Sequence, residues 1–329
     1  MKFKSIFKMV IFLMILAIQS CEELSTQDSG NLVPKTADEN NTIPSIAIQG
    51  TLLHSEAFGD PTDPMVVFIH GGPGADYRNG LNARYLADAG YYVVFYDQRG
   101  TGLSQRHPKN EFTPDVMLND LSGVIAYYRT SENQKIFLFG HSWGAILAAL
   151  YINENPSEID GAILAEPGGL TWQSLQKYNE RAKKPYLFEE ATSDVLYLDQ
   201  LFTGKENEHE ILDYKLGVTS SFSYAPGNIE GIEGSSPFWR YGAESLNGLL
   251  EYADKYGFDA TGNLDQYTKK VLFLYTENNK AYGDVLAQEE AANFPNAEVA
   301  KINDTGHEMI YFGWDKVFPV VLSYLNSLD

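Results

Sequence analysis

The chain has 329 residues, of which 44% are hydrophobic and 13% aromatic, and its formal net charge is −20. That length holds one large α/β domain with an inserted subdomain, or two ordinary domains. The acidic balance argues against a nucleic-acid partner, because polyanions bind Lys- and Arg-rich surfaces.

Lys2, Lys4 and Lys8 precede an apolar run from Met9 to Ile18, and Ser20 stands just before Cys21. A basic start, a short apolar core and a small residue at the cleavage point predict a secretory signal peptide over residues 1–20. The core is too short for a comfortable membrane span. Cys21 is the single cysteine, so no intramolecular disulfide can form. Its context, Ile-Gln-Ser-Cys, resembles a bacterial lipobox, and lipidation at Cys21 would anchor the protein to a membrane of the bacterial cell envelope. Residues 22–42 are polar and without apolar period, which predicts a tether completing a lipidated segment 21–42.

From Ile43 the pattern changes. SIAIQGTLLHSEAF reads as two short strands around Gly50, and the apolar runs MVVFIH (65–70) and YYVVFYDQRG (91–100) read as buried parallel strands. Residues 114–130 have helical spacing and begin with Pro114 and Asp115. KIFLFG (135–140) is a further strand, SWGAILAALYINENP an apolar helix stopped at Pro156, and GAILAEPGG (161–169) a strand again. The alternation breaks between about 170 and 268. It resumes with VLFLYT, a helix near 284–293, AEVAKI (297–302) and a last helix near 313–327. Strands alternating with helices predict a mostly parallel sheet with helices on both faces. The core is expected over 43–168 and 269–329, with an inserted, mainly helical cap over 169–268.

Gly140-His141-Ser142-Trp143-Gly144 fits the G-x-S-x-G nucleophile elbow and has the strand before and helix after that the motif needs. Ser142 is the expected nucleophile. His70-Gly71-Gly72-Pro73-Gly74 ends the earlier strand, and the N–H groups of Gly72 and Trp143 are the expected oxyanion donors. A phosphate-binding loop is the poorer reading, since neither G-x-G-x-x-G nor a Walker lysine is present. Asp304-Thr305-Gly306-His307-Glu308 follows the last strand, where a general base belongs, and His307 is expected to take the Ser142 proton. No cofactor or metal is called for.

HGGPG, DQRGTGLS (97–104), GHSWG and TGHE, in that order, resemble the prolyl aminopeptidase (proline iminopeptidase) branch of the α/β-hydrolase superfamily over roughly residues 45–165 and 268–327. The resemblance implies an eight-stranded α/β-hydrolase sheet, a helical cap, Ser-His-acid catalysis and release of N-terminal residues from short peptides or amino-acid amides. Such enzymes read the free amino terminus with cap glutamates, commonly near a Glu-x-His-Tyr-Phe stretch that this chain lacks. Its cap offers Glu230, Glu233 and Glu244 instead. The alternatives are a carboxylesterase or other small-molecule acyl hydrolase and, in a different class, a non-catalytic binding protein on a hydrolase scaffold.

The acid is the open point. Relatives place it as Gly-x-x-Asp after the strand matching VLFLY, where this chain has Thr276-Glu277-Asn278-Asn279. Asn279 cannot stabilise an imidazolium as a carboxylate does. Glu166, directly after the buried strand GAILA, is the preferred acid, because a carboxylate at that edge is costly without a partner. Glu277 and Asp284 remain alternatives, Asp284 also reading as a helix N-cap.

Overall fold

The computed structural model describes residues 32–182, 208–221, 227–235 and 237–328. Cys21 and the segment before it lie outside the described residues. Eight strands form one sheet: β1 (Ser45–Ile48), β2 (Thr51–Phe58), β3 (Met65–Ile69), β4 (Tyr92–Tyr96), β5 (Ile136–His141), β6 (Gly161–Ala165), β7 (Val271–Thr276) and β8 (Ala297–Ile302). Their spatial order is β1-β2-β4-β3-β5-β6-β7-β8. β1 and β2 pair antiparallel, β2 meets β4 antiparallel, and every later pairing is parallel.

The continuous apolar runs are explained by burial on both faces. Val66, Phe68, Phe137, Phe139, Leu272 and Leu274 pack on one side, against a 3-10 segment (Tyr77–Ala89) and the C-terminal helix. Val67, Ile69, Leu138, Leu164 and Phe273 alternate to the other side, against α1 (Pro114–Tyr128) and α2 (Trp143–Glu154). Each such Val, Leu or Phe side chain contributes about 1.5–3 kcal/mol by leaving water. α1 starts where the sequence predicts, with Thr113 Oγ1 accepting from Val116 N and Pro114 in the first turn.

Between β6 and β7 the described residues hold α3 (Trp172–Ala182), α4 (Glu208–Ser221) and α5 (Ala243–Tyr256). After β7 come α6 (Gly283–Ala291), then β8, α7 (Met309–Phe312) and α8 (Trp314–Asn326). The expected N-cap at Asp284 is displaced by two residues: Tyr282 caps α6 and Asp284 sits in its first turn. The expected tether is also shorter than its polar composition suggested. Ala37 N–H donates to Leu103 O at 2.8 Å, Arg240 Nη1 donates to Pro34 O at 2.8 Å, and Thr36 is buried. These backbone contacts dock the segment from Pro34 onward, and composition does not register them.

Candidate active site

Four neighbouring parallel strands end at one edge of the sheet, and the residues just beyond them meet there. His141 is in register with Ala165, and Ala165 with Leu274. The pairing continues one step past the strands: Ser142 N–H donates to Ala165 O at 2.8 Å, and Glu166 N–H to Leu274 O at 3.1 Å. Ser142 and Glu166 are therefore set side by side by sheet register rather than by loops.

Ser142 has φ 55° and ψ −123°, and Glu166 has φ 46°, in the left-handed region that non-glycine residues rarely occupy. The backbone on either side of Ser142 is closely packed. A Cβ on Gly144 would lie 2.0 Å from Ile69 O, and one on Gly140 would lie 2.4 Å from Gly144 O. The two glycines of the elbow are there because backbone passes through the space a side chain would need.

The Glu166 carboxylate is fully buried and fully engaged. Its Oε2 lies 2.7 Å from His307 Nδ1 and accepts from Asn279 Nδ2 at 2.7 Å. Its Oε1 accepts from Thr276 N–H at 2.8 Å and Thr276 Oγ1 at 2.6 Å. Burial alone would raise its pKa, but the bonds from His307, Thr276 and Asn279 outweigh it and hold the carboxyl below its ordinary value. Asn279 occupies the position where relatives carry an aspartate. Its Oδ1 accepts from Ala281 N–H at 3.0 Å and Tyr282 N–H at 3.3 Å, which turns the amide so that Nδ2 faces Glu166. Nδ2 is also 3.4 Å from His307 Nδ1.

Neither alternative acid reaches this point. Glu277 pairs with Lys301 Nζ at 2.8 Å and accepts from Asp304 N–H at 3.1 Å, while Asp284 is exposed on α6. The histidine is supported from behind by His141, whose Nε2–H donates to His307 O at 2.8 Å and whose ring lies 4.8 Å from the His307 ring. Burial, then His307, lowers the His141 pKa from its ordinary value.

The DQRG motif holds the two expected oxyanion elements together. Gln98 N–H donates to His70 Nε2 at 2.9 Å, Gln98 Nε2 to His70 O at 2.8 Å, and Trp143 Nε1–H to Gln98 Oε1 at 3.0 Å. Asp97 accepts from Leu103 N–H and Tyr77 N–H and pairs with His54 Nδ1 at 2.7 Å.

Ser142, His307, Gly72 and Trp143 line a cavity of about 490 Å³, within the usual size of small-molecule sites. Its lining mixes apolar side chains (Ile146, Trp172, Leu216, Phe238) with carboxylates. Of the three cap glutamates expected from the sequence, Glu230 lines it, and Tyr178 OH donates to Glu230 Oε1. Glu233 accepts from Thr305 Oγ1 at 2.8 Å and Gly306 N–H at 3.0 Å, bracing the turn into His307, and Glu244 lies in the first turn of α5; neither is among the lining residues. Glu251, Asp254 and Glu308 complete the acidic lining, with no Lys or Arg among the described lining residues. Glu308, Asn79 and the clamp residues Thr276 and Asn279 carry no sequence motif for these contacts. The sequence hinted at a place in the site for Glu308, through its adjacency to His307, and for Asn279, through its alignment with the usual acid position.

The eight-stranded, mostly parallel sheet and the strand-turn-helix elbow at Ser142 are those of an α/β hydrolase. The chain belongs to the alpha/beta hydrolase fold family, whose model matches residues 64–313. It is 30% identical over 283 residues to the AB hydrolase superfamily protein YfhM of Bacillus subtilis, covering 84% of this chain and 96% of that one. It is 34% identical over 113 residues to a proline iminopeptidase of Arabidopsis thaliana, covering 34% of this chain. That match spans only 29% of the Arabidopsis protein's length. A thermophilic esterase from Thermogutta terrifontis shares the fold with a TM-score of 0.60 at 20% identity, over 87% of this chain and 97% of that chain.

Proposed function

We propose that the protein is a serine hydrolase that cleaves short peptides or amino-acid amides bearing a free amino group. Ser142 attacks the acyl carbonyl carbon while its proton passes to His307 Nε2. Glu166 accepts the His307 Nδ1–H, fixing the tautomer and stabilising the imidazolium. The N–H groups of Gly72 and Trp143 hold the oxyanion, each worth about 3 kcal/mol in the transition state. His307 then protonates the departing amine, and water, activated by the same imidazole, hydrolyses the ester formed on Ser142 and frees the enzyme.

The observation that carries this reading is the Glu166–His307 contact of 2.7 Å on the wall of the cavity that Ser142 also lines. The choice of an amine-bearing substrate over a neutral ester rests on the lining: Glu230, Asp254 and Glu308 favour a cation, Glu251 is already paired with Lys109 Nζ at 2.7 Å, and no Lys or Arg is among the described lining residues. Two measurements test it. A fluorophosphonate probe should label Ser142 in the folded protein and fail on Ser142→Ala; an unlabelled wild type sinks the hydrolase reading. Among substrates, alanine 4-nitroanilide should be turned over with a higher kcat/KM than its N-acetyl counterpart, and the opposite preference favours an esterase-type acyl hydrolase.

A further inference from the structure

The charge on Glu308 has no counterpart among the described residues. The side chain is 8% exposed, lines the cavity, and has one hydrogen-bond donor, Asn79 Nδ2, at 3.0 Å on Oε2. It enters no ion pair among the described residues. The nearest candidate for a positive charge is His141, and the contacts at its ring exclude one. Its Nε2–H is given to His307 O, and its Nδ1 faces the Asn79 amide NH₂ at 3.4 Å, which requires an unprotonated nitrogen there. A mostly buried carboxylate with a single neutral donor, facing a cavity, is a site that a cationic ligand would complement.

Asn79 supplies the second observation. It is 2% exposed and lines the same cavity, and donation to Glu308 fixes which way its amide points. Its Oδ1 is then a buried acceptor with no partner. Most buried polar atoms in folded proteins are paired, and an exception is informative. Here a carboxylate and an unpaired carbonyl oxygen, joined through the Asn79 NH₂, are both acceptors. A cation with N–H donors is the group whose chemistry complements such a pair of acceptors.

We propose that Glu308 and Asn79 form the subsite for the substrate's free amino group, bound as an ammonium. This deepens the reading given under Proposed function and rests on it. The subsite belongs to the sheet's own edge: Asn79 comes from the segment after β3, and Glu308 directly follows His307. It differs from the cap glutamates that the sequence resemblance implies. Proximity to the elbow suits an amine close to the scissile carbonyl. Asn79 Nδ2 touches His141, the residue before the nucleophile, and a Cβ on Gly71 would meet both Ser142 Cβ (3.0 Å) and His141 Nδ1 (3.5 Å). Charge-assisted hydrogen bonds from an ammonium to Glu308 add binding that a neutral acyl group cannot obtain.

The test compares alanine 4-nitroanilide with 4-nitrophenyl acetate, which has no amine, in the full-length protein. The quantity read is the ratio of their kcat/KM values. Glu308→Gln should lower that ratio about thirtyfold or more, mainly through KM for the anilide, and Asn79→Ala should lower it about fivefold. A ratio within twofold of wild type in Glu308→Gln overturns the subsite, and so does an equal fall for both substrates, which would mean that Glu308 acts only through His141 and His307. A measurement on the wild type guards against variants that fold poorly. Propylammonium should inhibit hydrolysis of the acetate ester competitively at a concentration at least about tenfold below that needed with neutral 1-propanol, and equal inhibition overturns the proposal. If the wild type shows no preference for alanine 4-nitroanilide over its N-acetyl form, the amine reading falls and takes this subsite with it. If that preference holds while Glu308→Gln keeps it, the subsite alone is wrong.

Discussion

Glu166 and Asn279 divide between them what one aspartate does in relatives that carry the acid after β7. The carboxylate comes from the end of β6, and the amide at 279 donates to it at 2.7 Å. The same nitrogen is 3.4 Å from His307 Nδ1, so a carboxylate at 279 would lie within reach of the histidine. Two acid positions thus serve one imidazole. Glu166→Gln is expected to lower kcat at least about a hundredfold, because an amide neither stabilises the imidazolium nor enforces its tautomer. In that background Asn279→Asp should restore kcat at least about tenfold, measured on the best anilide substrate; no recovery would mean that position 279 cannot present a carboxylate to His307. The sequence exposed this problem only in part. The apolar strand GAILA followed by a glutamate made Glu166 the preferred candidate, since burial of an unpaired carboxylate is costly. The role of Asn279 was not legible. Its significance lies in which way an amide turns, set by the N–H groups of Ala281 and Tyr282, and that depends on a local turn with no motif.

Among the elements, the core follows from apolar patterning, whereas the insertion is attached by buried charges. Strands β3 to β7 are readable as runs because both faces of the sheet are covered, so their side chains are apolar except at the strand ends, where His141 and Thr276 face the site. The contacts of α4 and α5 join residues far apart in sequence, and periodicity carries no information about them. Asp213 on α4 accepts from Arg106 Nε at 2.9 Å and Arg240 Nε at 2.7 Å, and its other oxygen accepts from Ala243 N–H at 2.9 Å. Asp76, just after the HGGPG loop, accepts from the N–H groups of Trp239 and Arg240 at 2.6 and 3.1 Å. Together they pin the segment before α5 to the loops after β3 and β4. Asp213→Ala would leave two buried guanidinium groups facing one another, which typically costs about 3–5 kcal/mol. Urea denaturation should show that loss, and limited proteolysis should cut between β6 and β7 before the sheet core. Loss below about 1 kcal/mol would show that solvent already reaches the clamp.

For the molecule as a whole, stability should depend on pH through a carboxyl group remote from the nucleophile. Glu290 on α6 is almost completely buried, and burial pushes its pKa from the ordinary 4.5 up to about 8, against the opposing hydrogen bond from Tyr282 OH at 2.5 Å. It lies beside the cluster in which Tyr178 of α3 packs with Ala281, Tyr282, Leu286 and Ala287, so it sits where the insertion meets the core. In the unfolded chain this carboxyl ionises near pH 4.5, whereas in the folded protein it keeps its proton to about pH 8. Between those values the folded state binds more protons than the unfolded one, so stability falls as pH rises, and the decline from this group ends above pH 8. The net charge of −20 adds a broader repulsion in the same direction, without a sharp upper limit. Glu290→Gln separates the two. It keeps an acceptor for Tyr282 but has no proton to lose, so the variant should match the wild type near pH 4.5 and exceed its Tm by several degrees at pH 8. Above pH 8 the gap should stay constant. Melts at pH 4.5, 6, 7, 8 and 9 would show this, and a Tm difference that does not change with pH would mean that Glu290 is ionised in the folded protein throughout.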